Sequence, residues 1–209
     1  MLPHLLPDIM KQLDPGQKGW VSDMGFAPIN SMPDCRLHKG HTMWLINHVH
    51  CPSKSLVLNG ISYPIKDFLN DILGFNNGNI PVPLPRKGIY KSKPFKGKKE
   101  FRSEEAGRGL KLAEAIAALV KMQDKEEFCR QFIMVFNCAY FATTSGLNLN
   151  RIYMDMFKNS GDIKQRNWPE FAADYLIQGI EDFQNSSVTN VNIHGCVGIL
   201  PVSSKIFLA

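Results

Sequence analysis

Residues 38–51 read HKGHTMWLINHVHC and hold four of the chain's six histidines together with Cys51, while Cys35 lies just upstream. Imidazole and thiolate groups this dense raise two chemistries, metal ligation and thiol nucleophilicity. Cys35, His38 and His41 are each separated by two residues, which invites comparison with a zinc site. Structural zinc sites need four ligands, commonly as paired short spacings. The second pair is missing, because His48, His50 and Cys51 crowd together and point to different faces of any regular element. His41 and His48 instead share one helical face with Trp44. The spacing therefore favours a structural helix over a metal centre.

Nucleophilic catalysis finds less support. Cys51 beside His48 and His50 suggests a thiolate pair, but sequence neighbours rarely meet with the geometry a dyad requires. Ser145 stands in Thr144-Ser145-Gly146, which is not the G-x-S-x-G elbow of a hydrolase. No phosphate-binding loop occurs, and Gly107-Arg108-Gly109 is only a fragment of a dinucleotide fingerprint. Neither H-E-x-x-H nor an EF-hand loop is present. The expectation is a protein that is not an enzyme and needs no metal or cofactor.

Charge supplies the other signal. The chain of 209 residues is net +5, but residues 86–102 (RKGIYKSKPFKGKKEFR) set eight cations against one glutamate. That segment is net +7, so the rest is a mildly acidic globule of net −2. Lys91, Lys93, Lys96, Lys98 and Lys99 interleave with Tyr90, Phe95 and Phe101, a composition suited to phosphate contacts and base stacking. A solvated linker between two helical halves is the plainer reading of it. Nuclear import or nucleic-acid contact, and attraction of an acidic protein, are the functional alternatives.

The elements that must position these residues are mainly helical. Residues 4–13 have a mixed apolar face that Pro7 should limit. Asp14-Pro15-Gly16-Gln17 predicts a helix start with a capping box and proline at the first position, and Gly25 a stop. Residues 39–49 read as a helix ended by Cys51-Pro52. SLVL-NG-ISY, residues 55–63, predicts a hairpin on a type I′ turn. Pro64 then opens a helix with Ile65, Phe68, Leu69 and Ile72 on one stripe and Gly74 as its stop. Residues 75–102, rich in proline, glycine and lysine, form a long irregular loop.

The second half predicts a helix from about Glu104 to Gln123 capped by Ser103, and another opened by Asp124 with Glu127. Apolar residues cover nearly the whole circumference of that second helix, so it should be the centre of the core and be broken by TTSG. A shorter helix near Asn150–Phe157 and a long one capped by Asn167 with Glu170 follow. NVNIHGCVGILPV and SSKIFLA are apolar without caps and are left unassigned. The fold class expected is mainly α, one compact multi-helix domain over residues 1–209 with a small hairpin and a basic loop.

No apolar run reaches the ~18 residues of a membrane-spanning helix. The N-terminus MLPHLLPDIM lacks the basic and apolar regions of a signal peptide. Five cysteines without CxxC pairs fit free thiols in a reducing compartment, so a cytoplasmic or nuclear location is expected.

In this order, QKGWVSDMGFAPINSM, MWLINHV, LVLNGISYPI and DFLNDILGF resemble the plant mobile domain (aminotransferase-like) family, and within it the transposon-associated proteins of grasses. FIMVFNCAYFATTSGLNLNRIYMDMF, DIKQRNWPEFAADYLIQGIEDF and VNIHGCVGIL extend the resemblance over about residues 10–200. It implies a helical domain of mobile-element origin, sometimes joined elsewhere to a ubiquitin-like-protease peptidase domain that is not seen in this sequence. It also implies that Trp44, Leu45 and Ile46 form the buried side of a structural helix, with the histidines incidental. Relatives usually continue beyond VNIHGCVGIL, so a C-terminally shortened copy is expected. The functional expectation is a non-enzymatic protein-interaction module, a regulator or the neutralising partner in a toxin–antidote pair. The alternative is a nuclear nucleic-acid-binding protein acting through residues 86–102.

Overall fold

Asp14 and Gln17 open a helix as their spacing predicts. The Asp14 carboxylate accepts the Gln17 backbone N–H at 2.9 Å, and the Gln17 side-chain oxygen accepts the Asp14 N–H at 3.0 Å. The computed structural model describes residues 5–31, 38–75, 78–84, 111–142, 160–186 and 193–201. Helix α1 spans Leu5–Gln12 and α2 spans Pro15–Val21. Pro7 does not limit α1, because it lies in the first turn, where its missing N–H breaks no helical bond. After α2 the chain widens into a π turn, Ser22–Phe26, in which Gly25 takes φ 91°. A 3-10 turn over Ala27–Ser31 follows.

The stretch rich in histidine forms α3, Lys39–Asn47, which is shorter than expected. His48 leaves the helical conformation, and Val49–His50 becomes strand β1 instead of a last helical turn. It pairs antiparallel with β2, Ser55–Leu58, which pairs with β3, Ile61–Pro64, in the order β1-β2-β3. Asn59 and Gly60 take φ 51° and 79°, the left-handed pair that a type I′ turn requires. The predicted hairpin is present, and a third short strand completes a small sheet. Helix α4, Ile65–Leu73, buries Ile65, Phe68 and Leu69 and ends on Gly74 at φ 57°. The side chain of Ile72 lies outside the described residues.

Helix α5 spans only Leu112–Leu119, and the one long helix expected there is interrupted at both ends. Lys111 is extended, with ψ 139°, so no helix passes through it. At the other end, the buried Gln17 side chain donates to the carbonyls of Val120 and Met122, each at 3.0 Å. Those acceptors are carbonyls that the end of a helix leaves without an intrahelical partner, and the chain turns there towards Asp124. The proposed Ser103 cap, TTSG and the helix near Asn150–Phe157 lie outside the described residues.

Asp124 caps α6, Lys125–Phe136, by accepting the Glu127 N–H at 2.8 Å. Every residue from Gln131 to Ala142 is buried, and the helix passes into a second π turn, Asn137–Phe141. This is the central element of the core, as its all-round apolar pattern predicts. Phe128, Phe132, Phe136 and Tyr140 recur every fourth residue and stack in a ladder, with successive ring centres 5.9, 5.9 and 5.7 Å apart. Phe26 meets Phe75 and Phe136 edge-on at 5.2 and 5.1 Å. Aromatic pairs of this kind contribute about 0.5–1.5 kcal/mol beyond area burial.

Helix α7 is Ser160–Lys164, and α8 is Trp168–Gln184, capped by Asn167, which accepts the Glu170 N–H at 3.1 Å. The apolar segment without caps near the C-terminus is explained by glycine. A Cβ on Gly179 of α8 would overlap the carbonyl of His194, and one on Gly195 would crowd the Leu176 backbone. Two backbones therefore touch, and Cys196–Leu200 is buried, with helical conformation beginning at Ile199. The architecture is mainly α with one small antiparallel sheet, and the buried residues form a single cluster. No helix among the described residues is long and apolar enough to cross a membrane.

Candidate interaction surface

Within α3 the residues divide into two faces. Thr42, Leu45 and Ile46 are buried, whereas Trp44 is 46% exposed. The expectation that Trp44 shares the buried side is thus overturned. A helix turns about 100° per residue, so the face centred between Leu45 and Ile46 lies roughly 150° from Trp44 and leaves it on the outward side. Gln184, at the end of α8, donates its amide to the carbonyls of Ile46 and Val49, both at 3.2 Å. These bonds tie the end of α3 and the start of β1 to the end of α8.

The histidines are disposed around that exposed tryptophan. His41 lies one turn before Trp44, its ring nearly parallel at 13° with centres 6.1 Å apart. His48 lies one turn after, with ring centres only 4.1 Å apart. The Trp44 carbonyl is 2.7 Å from His48 Nδ1. A carbonyl only accepts, so Nδ1 carries the proton and donates it. His38 accepts the His41 backbone N–H on its Nδ1 at 3.3 Å, capping the helix. His50 Nδ1 is hydrogen-bonded to the Ser53 hydroxyl at 2.8 Å. These contacts give the four imidazoles structural work, that of His41 and His48 being against the indole. Among the described residues no three histidine, cysteine or acidic side chains are grouped to hold a metal ion; Cys35 lies outside that set.

Cys51 is half-buried, and its thiol donates to the Gln184 side-chain oxygen at 3.4 Å. Burial, reinforced by the negative charge of Glu181, pushes the thiol above its ordinary range. A thiol held protonated in this way is the reverse of an activated nucleophile. Ser145 and Gly107-Arg108-Gly109 lie outside the described residues.

The five lysines of the basic loop, Lys91, Lys93, Lys96, Lys98 and Lys99, also lie outside them. The chain leading into that loop is firmly held. Ile80 and Arg166 form a parallel bridge, and the Ile80 N–H donates to the Gln165 carbonyl at 3.0 Å. The Asn167 N–H returns a bond to Ile80 at 2.8 Å. Gly78 lies so close to the Gln165 backbone that no side chain fits there.

No aspartate or glutamate occurs from Cys35 to Lys66. Carboxylates of α8 act on that stretch, Glu181 on Cys51 among them. Asp174 and Glu170 are held by Lys54, and Glu170 also by Lys66 at 2.7 Å. The Lys66 ammonium holds the Glu170 carboxyl below its usual range.

A family model matches residues 1–201, under the description "Domain of unknown function (DUF8566)". The chain belongs to the DUF8566 family. No curated protein and no solved structure matches it. What distinguishes the surface of this DUF8566 chain is then read from its own residues. Trp44 and Ile61 are the large apolar side chains it exposes among the described residues. The signal for Trp44 was visible beforehand as histidines three residues before and four after it; the sequence alone did not tell which helix face the core would take.

Proposed function

We propose that this chain is a non-enzymatic protein-interaction module whose contact surface is the exposed face of α3. The observation that carries the reading is Trp44, nearly half exposed yet held between two imidazoles. Tryptophan is enriched among the residues that dominate binding energy, and an ordered side chain loses little freedom on docking. An origin in a plant mobile element of the plant mobile domain type, with a role as regulator or neutralising partner in a toxin–antidote pair, is the biological setting we infer from the sequence resemblance. The non-enzymatic reading is supported by the raised Cys51 thiol and by the structural hydrogen bonds of His38, His48 and His50.

The second reading is nucleic-acid binding through residues 86–102, favoured by their net charge of +7. Quantitative capture of partners from plant extract, with and without nuclease, separates the two. A single polypeptide recovered near one-to-one in both conditions, and lost with Trp44→Ala, supports the interaction module. Recovery that vanishes with nuclease, or that ignores Trp44→Ala, overturns the reading.

A further inference from the structure

The central helix carries one polar side chain that its surroundings do not account for. Asn137, where α6 passes into its π turn, is 0% exposed. Among the described residues neither its amide nitrogen nor its amide oxygen has a hydrogen-bond partner. Burying a polar group in this way costs free energy, and each instance in a native fold calls for an explanation such as an ordered water. The other buried amides find partners in the chain. Gln17 donates to the Val120 and Met122 carbonyls, and Gln131 donates to the Ala115 carbonyl at 3.4 Å. The polar residue of the first π turn is also engaged, since the Ser22 hydroxyl donates to the Lys18 carbonyl at 3.1 Å and accepts from the Asn30 amide at 2.9 Å.

We propose that the Asn137 amide holds an ordered internal water. In a primary amide the oxygen and one N–H lie on the same edge, so one molecule that both accepts and donates can meet both atoms. Water does this and is small enough for a stretch in which every residue from 131 to 142 is buried. The turn that starts at the same residue widens the helical ladder, because the Ala142 N–H reaches back five residues to the Asn137 carbonyl at 2.6 Å. Single π turns within helices recur at functional sites. A buried water takes about three bonds, and the third falls to a main-chain group of that turn. The site lies in the core and is independent of the α3 surface.

The test follows the Asn137 side-chain amide protons, assigned through their own backbone, in a water-selective rotating-frame NMR experiment on the isotope-labelled full chain. A held water gives these protons a cross-peak of dipolar sign, whereas chemical exchange gives the opposite sign. The expected result is the dipolar cross-peak at Asn137. Asn137→Leu, which keeps the shape but leaves the water without its anchor, should lower Tm by about 3–6 °C. A missing or exchange-only cross-peak would overturn the proposal, as would a contact from another side chain's protons in place of water. So would a higher Tm in Asn137→Leu, which marks the relief of a bare amide. Where that variant fails to fold, the cross-peak on the wild-type chain decides alone.

Discussion

The Trp44 indole and the His48 imidazole meet tilted by 38° with centres 4.1 Å apart, and the His48 Nδ1–H donates back to the Trp44 carbonyl at 2.7 Å. One histidine therefore closes the end of α3 and braces the side chain beside it. Trp44→Ala removes no core contact and should change unfolding free energy by about 1 kcal/mol or less. His48→Ala should release the indole, so that Trp44 fluorescence anisotropy falls while the fold persists. Urea unfolding and time-resolved anisotropy check the two, and a Trp44→Ala chain that fails to fold would contradict the surface assignment.

Gln17 links sequence-distant parts through one amide. Its oxygen completes the cap of α2, and its nitrogen donates to Val120 and Met122. Gln17→Ala leaves two carbonyls without their donor in a buried position, and should cost about 2–3 kcal/mol. Asp14→Ala removes only the cap bond at an exposed residue and should cost about 1 kcal/mol. Equal losses in chemical denaturation would show that the link to the turn after α5 carries no weight.

Gly179→Ala tests the close approach of the C-terminal segment to α8. The added methyl meets the His194 carbonyl, which is backbone and cannot swing aside. A loss of about 1–3 kcal/mol is expected from overpacking, with faster amide exchange at residues 195–200. Gly161→Ala, where the new methyl meets nothing within 4 Å, is the control and should be near neutral.

Thiol chemistry gives a pH dependence of definite sign. Burial first, then Glu181, raises Cys51, so alkylation of a Cys35→Ser chain should be slower at pH 8 than that of a free cysteine and should climb as pH rises beyond the ordinary thiol range. Burial pushes Cys129 up to about 11 and Cys196 up to about 12. Unfolded thiols ionise near pH ~8.5, whereas these two stay protonated in the fold. Stability should therefore fall as pH rises above the unfolded value towards 11 and 12. Rapid Cys51 alkylation at neutral pH would reopen the nucleophile reading.

Local chemistry was legible wherever a residue acts on its near neighbours. Asp14 with Gln17, Asp124 with Glu127, Asn167 with Glu170, and Asn59-Gly60 all do in space what their spacing states. The apolar circumference of α6 likewise foretold its central place. What escaped the sequence depends on partners far along the chain. Gln17 donates to the turn after α5 from about a hundred positions away, and Gln184 ties the end of α3 to α8. Val49 takes a strand conformation because Leu56 offers a partner. The apolar C-terminal stretch showed no period because its fit is one of backbone against glycine.

The most direct test of the interaction reading is nuclease-treated capture from plant extract with three forms of the chain: wild type, Trp44→Ala, and one with Lys91, Lys93, Lys96, Lys98 and Lys99 all changed to glutamine. The account predicts one polypeptide recovered near one-to-one with the wild type and the lysine variant and lost with Trp44→Ala. Recovery that depends on the five lysines and on intact nucleic acid, and is indifferent to Trp44, would contradict it.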